Sequence, residues 1–251
     1  MVKNRGDLFV IKKIIKRLFV KLLYSKNNNL QIVRYVHPIL KSYSQYNEDI
    51  IVDSLLNNKE QGFYVDIGAN DPVRNNNTKR FSLRGWYGLN VEPQTDMYQK
   101  IVEDRPEDIN LNIGIGNDIN EKDLFILIYN NSTTGLSTFN KKDAKNSLKK
   151  KNVKLKKTIK VKFETLNNIF NKYLKNHIID FRSLDVEGYE LNVLQSNDWT
   201  RFRPTILLIE INRNYKILVQ YLKKNKYELV FNNGTNGIFM DIAKHKVVDI
   251  R

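Results

Sequence analysis

Acidic and amide side chains follow four apolar runs of this sequence, at the points where strands are expected to end. The motifs are Asp66-Ile67-Gly68-Ala69-Asn70, Glu92-Pro93, Asp185-Val186-Glu187-Gly188 and Glu210-Ile211-Asn212. In an open sheet of parallel strands, ligands bind beyond the carboxyl ends of the strands, because those ends meet at one edge. The four motifs are therefore expected to form one site, whose carboxylates could bind hydroxyl groups or accept protons.

The first two motifs indicate an adenosine-bearing ligand. Gly68 permits a tight turn and a close approach of a ligand, and Glu92 is spaced to accept hydrogen bonds from both hydroxyls of a ribose. A dinucleotide site needs G-x-G-x-x-G, but this turn reads G-A-N-D-P-V and includes Pro72, which lacks an N–H. S-adenosylmethionine has no pyrophosphate, and its sulfonium and amino-acid tail suit Asp66 and Asn70. The turn thus favours S-adenosylmethionine over NAD(P).

The later motifs supply candidates for catalysis. No histidine is suitably placed, so the proton acceptor for an alcohol is expected among Asp185, Glu187 and Glu210. Alternatively, Asp185, Glu210 and Asn212 could ligate Mg²⁺ or Mn²⁺, which would lower the pKa of the acceptor hydroxyl. A purely structural role also stays open, because Asp185 and Glu187 could cap the helix expected near Tyr189.

The elements that must position these residues follow an alternating pattern. The apolar runs that predict the main strands are Gly62–Gly68, Tyr87–Pro93, Ile109–Gly116, Ile178–Val186 and Thr205–Asn212. Helical patterns separate most of them, which indicates a parallel sheet with helical crossovers. Tyr227–Asn233 and Gly237–Ala243 predict an antiparallel hairpin at the edge of the sheet.

An insertion is expected around residues 124–164. Leu124–Asn131 and Thr158–Glu164 predict an extra hairpin, and the lysine-rich segment Lys141–Lys162 is expected to be a solvated loop. The alternative for this segment is a clamp for phosphate groups, if it folds over the ligand-binding edge.

The composition limits the classes of protein and of site. A chain of 251 residues suits a single domain, and the absence of cysteine excludes disulfides and thiolate catalysis and is typical of a cytoplasmic protein. The three histidines share no ligand-like spacing, which disfavours a histidine metal site. A net charge of +15 favours an anionic partner, although a general enrichment in lysine and asparagine would also explain it.

The N-terminal residues 1–42 are interpreted as an extension that precedes the domain at 43–251. Leu8–Lys26 predicts a basic amphipathic helix, which lysines interrupt too often for it to span a bilayer. Docking on the protein itself or on a second subunit is the favoured interpretation. Peripheral contact with the inner face of a membrane is the alternative.

The ordered set of motifs resembles the FkbM family of methyltransferases. The segments that carry the resemblance are Tyr43–Asp49, Gly62–Pro72, Asn76–Thr78, Gly85–Pro93, Asp180–Glu190 and Arg203–Glu210. The resemblance extends from about Tyr43 to Ala243. It implies a class I, Rossmann-like α/β fold, with a mostly parallel seven-stranded sheet, helices on both faces and an antiparallel edge strand. It also implies O-methylation by S-adenosylmethionine, often of sugar hydroxyls.

The same resemblance assigns roles to individual residues. The residues it places at the cofactor are Ser44, Gln45, Glu48, Asp66, Gly68, Ala69, Asn70, Asn77, Thr78, Glu92 and Pro93. Among them, Ser44, Gln45 and Glu48 would lie near the methionine tail. Asp185, Glu187 and Gly188 resemble the motif that faces the transferred methyl. The sequence departs from the family pattern at Arg74-Asn75.

We therefore expect a cytoplasmic O-methyltransferase that acts on a sugar, and the basic charge favours a nucleotide-linked or otherwise phosphorylated sugar. One alternative is an NAD(P)-dependent oxidoreductase on a similar sheet. Another is a basic module that binds nucleic acid or a membrane without catalysis. A nucleic-acid acceptor is not expected, because no basic motif is interleaved with aromatic residues, although the lysine-rich segment leaves an RNA acceptor open. The sequence leaves a homo-oligomer open.

Overall fold

The computed structural model describes residues 41–130, 132–133, 137–174 and 177–243. The predicted amphipathic helix at Leu8–Lys26 lies outside the described residues.

Strands and helices alternate through most of the described chain. The strands are β1 Phe63–Ile67, β2 Tyr87–Val91, β3 Ile109–Leu111, β4 Gly114–Ile115, β5 Lys122–Tyr129, β6 Ser132–Thr133, β7 Val153–Val161, β8 Phe163–Glu164, β9 Phe181–Leu184, β10 Ile206–Glu210, β11 Tyr227–Asn232 and β12 Asn236–Asp241. The helices are α1 Glu48–Leu55, α2 Lys79–Ser82, α3 Thr95–Asp104, α4 Lys141–Ser147, α5 Leu166–Tyr173, α6 Glu190–Gln195 and α7 Tyr215–Lys224.

Seven of these strands form the central sheet, in the order β11-β12-β10-β9-β1-β2-β3. Every neighbouring pair is parallel except the two pairs that include β12. The expected seven-stranded, mostly parallel sheet and the closing hairpin are thus confirmed. The antiparallel strand β12 lies second from the edge, because α7 carries the chain outward to β11 and the hairpin then returns between β11 and β10.

Both faces of the sheet are covered by helices, as expected. Val65 and Ile67 of β1 belong to one apolar cluster, together with residues of α5, α6 and α7. Tyr64 points to the other face and belongs to a second cluster, which includes residues of α1 and α2. This alternation buries apolar side chains on both faces of the parallel strands and leaves their carboxyl ends as the accessible edge.

The insertion differs in detail from the sequence prediction. β5 and β7 pair antiparallel, which confirms the extra strand pair, but β6 and α4 lie between them. The expected loop at Lys141–Lys162 is wrong, because this segment contains α4 and most of β7. The third predicted strand, Ile109–Gly116, is divided between β3 and β4, since β4 pairs with β8 in a separate small sheet.

Within the described ranges, no helix is both long enough and apolar enough to cross a lipid bilayer.

Candidate active site

The turn that follows β1 is fixed by its own backbone. Gly68 has a φ of 80°, and a Cβ atom at this position would lie 1.9 Å from the carbonyl oxygen of Asp185. Only glycine fits here, because the backbone is left-handed and the end of β9 is adjacent. The N–H groups of Gly68 and Ala69 donate to the carbonyl of Val91 at 2.9 and 3.2 Å. The turn therefore brings the ends of β1, β2 and β9 together.

Glu92 connects this turn to the end of β2. Its Oε2 accepts a hydrogen bond from the N–H of Asn70 and its Oε1 accepts one from the N–H of Gln94, both at 2.8 Å. Burial raises the pKa of Glu92 to about 7, although these two N–H groups oppose the rise. The carboxyl group lies at the edge of the sheet where the parallel strands end, and Pro93 beside it is half-buried; their contact with a cofactor stays a prediction.

Asp66 and Thr78 lie beneath the turn. The hydroxyl of Thr78 donates to Oδ2 of Asp66 at 2.6 Å, and a guanidinium nitrogen of Arg105 lies 4.0 Å from the same oxygen. Burial raises the pKa of Asp66, and the charge of Arg105 and the bond from Thr78 oppose that rise. Both side chains are buried and face protein groups. The structure thus places them where they support the turn, and their contact with a cofactor stays a prediction.

Arg105 and Asn76 complete this buried network, and the sequence argument gave neither of them a role. Arg105 donates to Oδ1 of Asn76 at 2.8 Å, to the hydroxyl of Thr78 at 2.8 Å and to the carbonyl of Pro72 at 2.9 Å. Asn76 in turn donates to the carbonyl of Ala69 at 3.0 Å. Asn76 lies within a motif that the sequence analysis used, whereas no sequence signal marks Arg105.

Asn77 joins this network to β9, because its amide donates to the hydroxyl of Ser183 at 3.0 Å. The neighbouring Arg74 and Asn75, where the sequence departs from the family pattern, are exposed. Asn77 is half-buried, so a contact with the cofactor stays a prediction for this residue too.

The start of α1 lies at the same edge. Glu48 is fully buried, and its Oε1 accepts a hydrogen bond from the amide of Asn236 at 2.6 Å. Asn236 lies on β12, where it is paired with Glu210 of β10. Gln45 is exposed and Ser44 is buried. Glu48 therefore anchors α1 to the closing hairpin. Among the three residues predicted near the methionine tail, Gln45 is the most accessible.

Three carboxylates converge at the ends of β9 and β10, and we call them the acidic trio: Asp185, Glu187 and Glu210. One oxygen of each lies within 4.8 Å of the others. Glu187 forms an ion pair with Arg213 at 2.6 Å, and Oε1 of Glu210 accepts a bond from Asn212 at 2.8 Å. The other oxygen of Glu210 is buried and has no hydrogen-bond partner among the described residues.

Asp185 differs from the other two acids in its environment. Solvent reaches its carboxylate, although protein encloses it on most sides, and no hydrogen bond to that carboxylate is found within the described ranges. Limited hydration and the charges of Glu210 and Glu187 raise the pKa of Asp185 well above its usual range. Burial, with Glu210 again contributing, raises the pKa of Glu187 to about 8, and Arg213 opposes this rise.

The loop that carries two members of the trio is held in a strained backbone conformation. Glu187 and Gly188 have φ angles of 53° and 99°. Oε1 of Glu190 accepts hydrogen bonds from the N–H groups of Gly188 at 2.9 Å and Val186 at 3.3 Å. Glu190 therefore fixes the start of α6, and the structural alternative for Asp185 and Glu187, that they cap this helix, is not observed.

The acidic trio could accept a proton or hold a divalent cation, because closely spaced carboxylates stabilise either positive species. Of the predicted cation ligands, Asn212 lies beside Glu210 and donates its amide N–H to it, and Glu187 is the third acid of the observed group; ligation by Asp185, Glu210 and Asn212 stays a prediction.

Comparisons with known proteins bear on what this edge binds. Residues 66–229 match the family described as the Methyltransferase FkbM domain. A solved structure from Staphylococcus aureus, assigned as a caffeoyl-CoA O-methyltransferase, has 8% sequence identity and a TM-score of 0.42 over 91% of this chain and 99% of that chain. That likeness is too distant to bear on the activity. A search of curated proteins gives no match in sequence.

Proposed function

The chain belongs to the FkbM methyltransferase family, and from this premise we propose that it transfers the methyl group of S-adenosylmethionine to a sugar hydroxyl. The observation that supports the proposal is the carboxylate of Asp185, which is accessible, unpartnered among the described residues and adjacent to the turn at Gly68. Methyl transfer needs a proton acceptor beside the donor when the nucleophile is an alcohol.

The donor would be held by the turn after β1 and by Glu92. Each oxygen of Glu92 already accepts one backbone N–H, and each has a second lone pair for a ribose hydroxyl. Because the two N–H groups fix the carboxylate, it is oriented before the cofactor arrives.

In the proposed reaction, the sugar oxygen forms a bond to the methyl carbon while the carbon–sulfur bond breaks and leaves its electron pair on sulfur. The hydroxyl proton moves to Asp185, which later releases it to solvent. Asp185 is favoured over Glu187, which is paired with Arg213, and over Glu210, whose unpartnered oxygen is buried, because the carboxylate of Asp185 is accessible. The neighbouring negative charges make Asp185 a stronger base.

Replacing Asp185 by asparagine tests the proposal. Asp185→Asn is expected to lower kcat by about 10²–10⁴-fold, the usual contribution of a general base. Its affinity for S-adenosylhomocysteine should remain that of the parent. Glu107→Gln, an exposed acid before β3 at the opposite edge, is the matched control. Normal turnover in Asp185→Asn would exclude this assignment.

A divalent cation is the second candidate for activating the hydroxyl, and the buried, unpartnered oxygen of Glu210 favours it. Mg²⁺ or Mn²⁺ held by the acidic trio would lower the pKa of a coordinated hydroxyl. Activity that is lost in EDTA and restored by Mn²⁺ would support this candidate. Full activity in EDTA would support direct proton transfer to Asp185.

The acceptor and the cofactor have separate tests. Incubation with S-adenosylmethionine and a panel of sugars is expected to give a product heavier by one CH₂ unit, which mass spectrometry detects. Thermal unfolding with S-adenosylhomocysteine or with NAD(P) distinguishes methyl transfer from the oxidoreductase alternative, because only a bound ligand stabilises the fold. Stabilisation by NAD(P) alone would contradict the proposal.

A further inference from the structure

The insertion lies across the edge of the sheet that carries the candidate site. One set of its contacts is on the side of β2. We call residues 122–164, which contain β5, β6, α4, β7 and β8, the inserted unit. Lys156 forms an ion pair with Asp96 at 3.2 Å, and the hydroxyl of Ser137 donates to Gln94 at 3.5 Å. Gln94 and Asp96 lie at the start of α3, directly after β2 and Glu92.

The other contacts of the inserted unit are made on the side of β9 and β10. The hydroxyl of Thr138 donates to the carbonyl of Glu187 at 3.1 Å. Asp143 of α4 lies 3.5 Å from Arg213, which also binds Glu187. Because β1 lies between these two sets of contacts in the sheet, the inserted unit crosses above the crevice between the ends of β2 and β9, beside Asp185. A sugar acceptor must therefore bind between the inserted unit and the sheet.

The inserted unit is strongly basic where it approaches the acidic trio. We call Lys149, Lys150 and Lys151, which follow α4, the lysine triplet. All three are exposed, and none forms an ion pair with a described residue. The positive charge of Lys150 lowers the pKa of Glu187, so this lysine lies near the acidic trio.

Helical hydrogen bonds continue beyond α4 and fix the direction of the lysine triplet. The N–H groups of Lys149 and Lys150 donate to the carbonyls of Asn146 and Ser147 at 3.2 and 3.0 Å. Lys150 follows Asp143 by about two helical turns, so the two residues lie near the same face of this helical segment. That face is directed toward Arg213, because Asp143 contacts Arg213. Lys150 therefore borders the crevice, and Lys149 and Lys151 lie on either side of it in the chain.

Resting on the proposed function, we propose that the acceptor sugar carries a phosphate or diphosphate group and that the lysine triplet binds it. The acidic trio repels an anion, so a phosphate must lie away from Asp185 while the hydroxyl faces it. The lysine triplet supplies the compensating charge at the border of the same crevice. Such an acceptor places its two ends on surfaces of opposite charge, which fixes its orientation.

Inorganic pyrophosphate tests the binding surface without any turnover. Calorimetry with the full chain and S-adenosylhomocysteine is expected to detect pyrophosphate binding, and K149Q/K150Q/K151Q should weaken it by at least about tenfold. The matched control is K172Q/K223Q/K224Q, which removes the same charge at the ends of α5 and α7, at the opposite edge of the sheet. No binding to the parent, or an equal loss in the control, would overturn the inference.

Turnover separates this inference from the proposed function. With a phosphorylated sugar, K149Q/K150Q/K151Q should raise KM by about tenfold and leave kcat within about twofold, because the triplet does not touch the reacting atoms. Methylation of free sugars alone would support the proposed function and overturn the inference. Pyrophosphate binding at the triplet without methylation of any sugar would show a phosphate-binding surface, but it would refute the proposed function and, with it, a phosphorylated sugar as the acceptor.

The source of the phosphate group is distinguished by the choice of acceptor. Nucleoside diphosphate sugars and lipid-linked diphosphate sugars present the same diphosphate group on different carriers. Comparison of the kcat/KM values for the two kinds of acceptor identifies the carrier. Anionic vesicles without sugar are the third arm. Binding to those vesicles through the lysine triplet, with no binding of pyrophosphate, would assign the triplet to a membrane surface and overturn the inference.

Discussion

The acids at the ends of β1 and β2 differ from those at the ends of β9 and β10 in how their charge is compensated. Asp66 and Glu92 accept several hydrogen bonds, and Arg105 lies beside Asp66. Asp185 has no hydrogen-bond partner among the described residues, and one oxygen of Glu210 is buried without one. Satisfied acids fix the backbone of a binding site, whereas uncompensated acids retain affinity for a proton or a cation. The same residue type thus supports binding on one side and chemistry on the other.

The largest expected effect comes from removing the buried cation of the first side. Arg105→Met should lower the free energy of unfolding by about 3–5 kcal/mol, because Asp66 would become a buried charge without compensation. Chemical denaturation measures this change. Lys160→Met, which removes an exposed partner of Asp123, should leave stability nearly unchanged. Equal stability of Arg105→Met and the parent would show that the network does not hold the turn.

A smaller loss is expected from the acid that faces the proposed ribose. At pH 8, Glu92→Gln should bind S-adenosylhomocysteine about 10–100-fold more weakly, since hydrogen bonds to a charged group contribute about 1.5–3 kcal/mol. Calorimetry measures the affinity, and Glu107→Gln is the control at an exposed site. An unchanged affinity would remove Glu92 from the cofactor site.

The second side should respond to charge removal in the opposite direction. In metal-free buffer at pH 8, Asp185→Asn should raise the free energy of unfolding by about 0.5 kcal/mol, because it relieves repulsion by Glu187 and Glu210 that solvent partly screens. Denaturation of this variant beside Arg105→Met compares the two sides directly. A loss of stability in Asp185→Asn would mean that its carboxylate is compensated after all.

The sequence predicted the convergence of the site better than the network beneath it. Asp185 and Glu210 end apolar runs, and parallel strands bring such ends to one edge, so their meeting follows from the pattern. Arg105 ends a helix and has the sequence context of an exposed basic residue. Its burial depends on the packing of α3 against the turn after β1, which no local pattern encodes.

The first half of the lysine-rich strand β7, residues 153–157, was missed for a different physical reason. Most of its residues are exposed; Lys157 interrupts the alternation of apolar and polar residues, and Leu155, at an apolar position of that pattern, is 45% exposed. β7 lies at an edge of its small sheet, where lysines are common because they discourage pairing with other chains. Composition alone therefore favoured a loop.

A dependence of cofactor affinity on pH tests whether Glu92 binds as a carboxylate. Burial raises the pKa of Glu92 to about 7 in the folded protein. The same carboxyl group in the unfolded chain has its lower, ordinary pKa. Between these two pKa values the folded protein therefore holds a proton that the unfolded chain has released. The contribution of Glu92 to stability thus declines as pH rises toward 7. Ribose hydroxyls favour the carboxylate, so the affinity for S-adenosylhomocysteine should rise by up to about tenfold between pH 6 and pH 8. Calorimetry in two buffers of different ionisation enthalpy should detect proton release in the parent and none in Glu92→Gln, and the same slope in both proteins would assign the effect to another group.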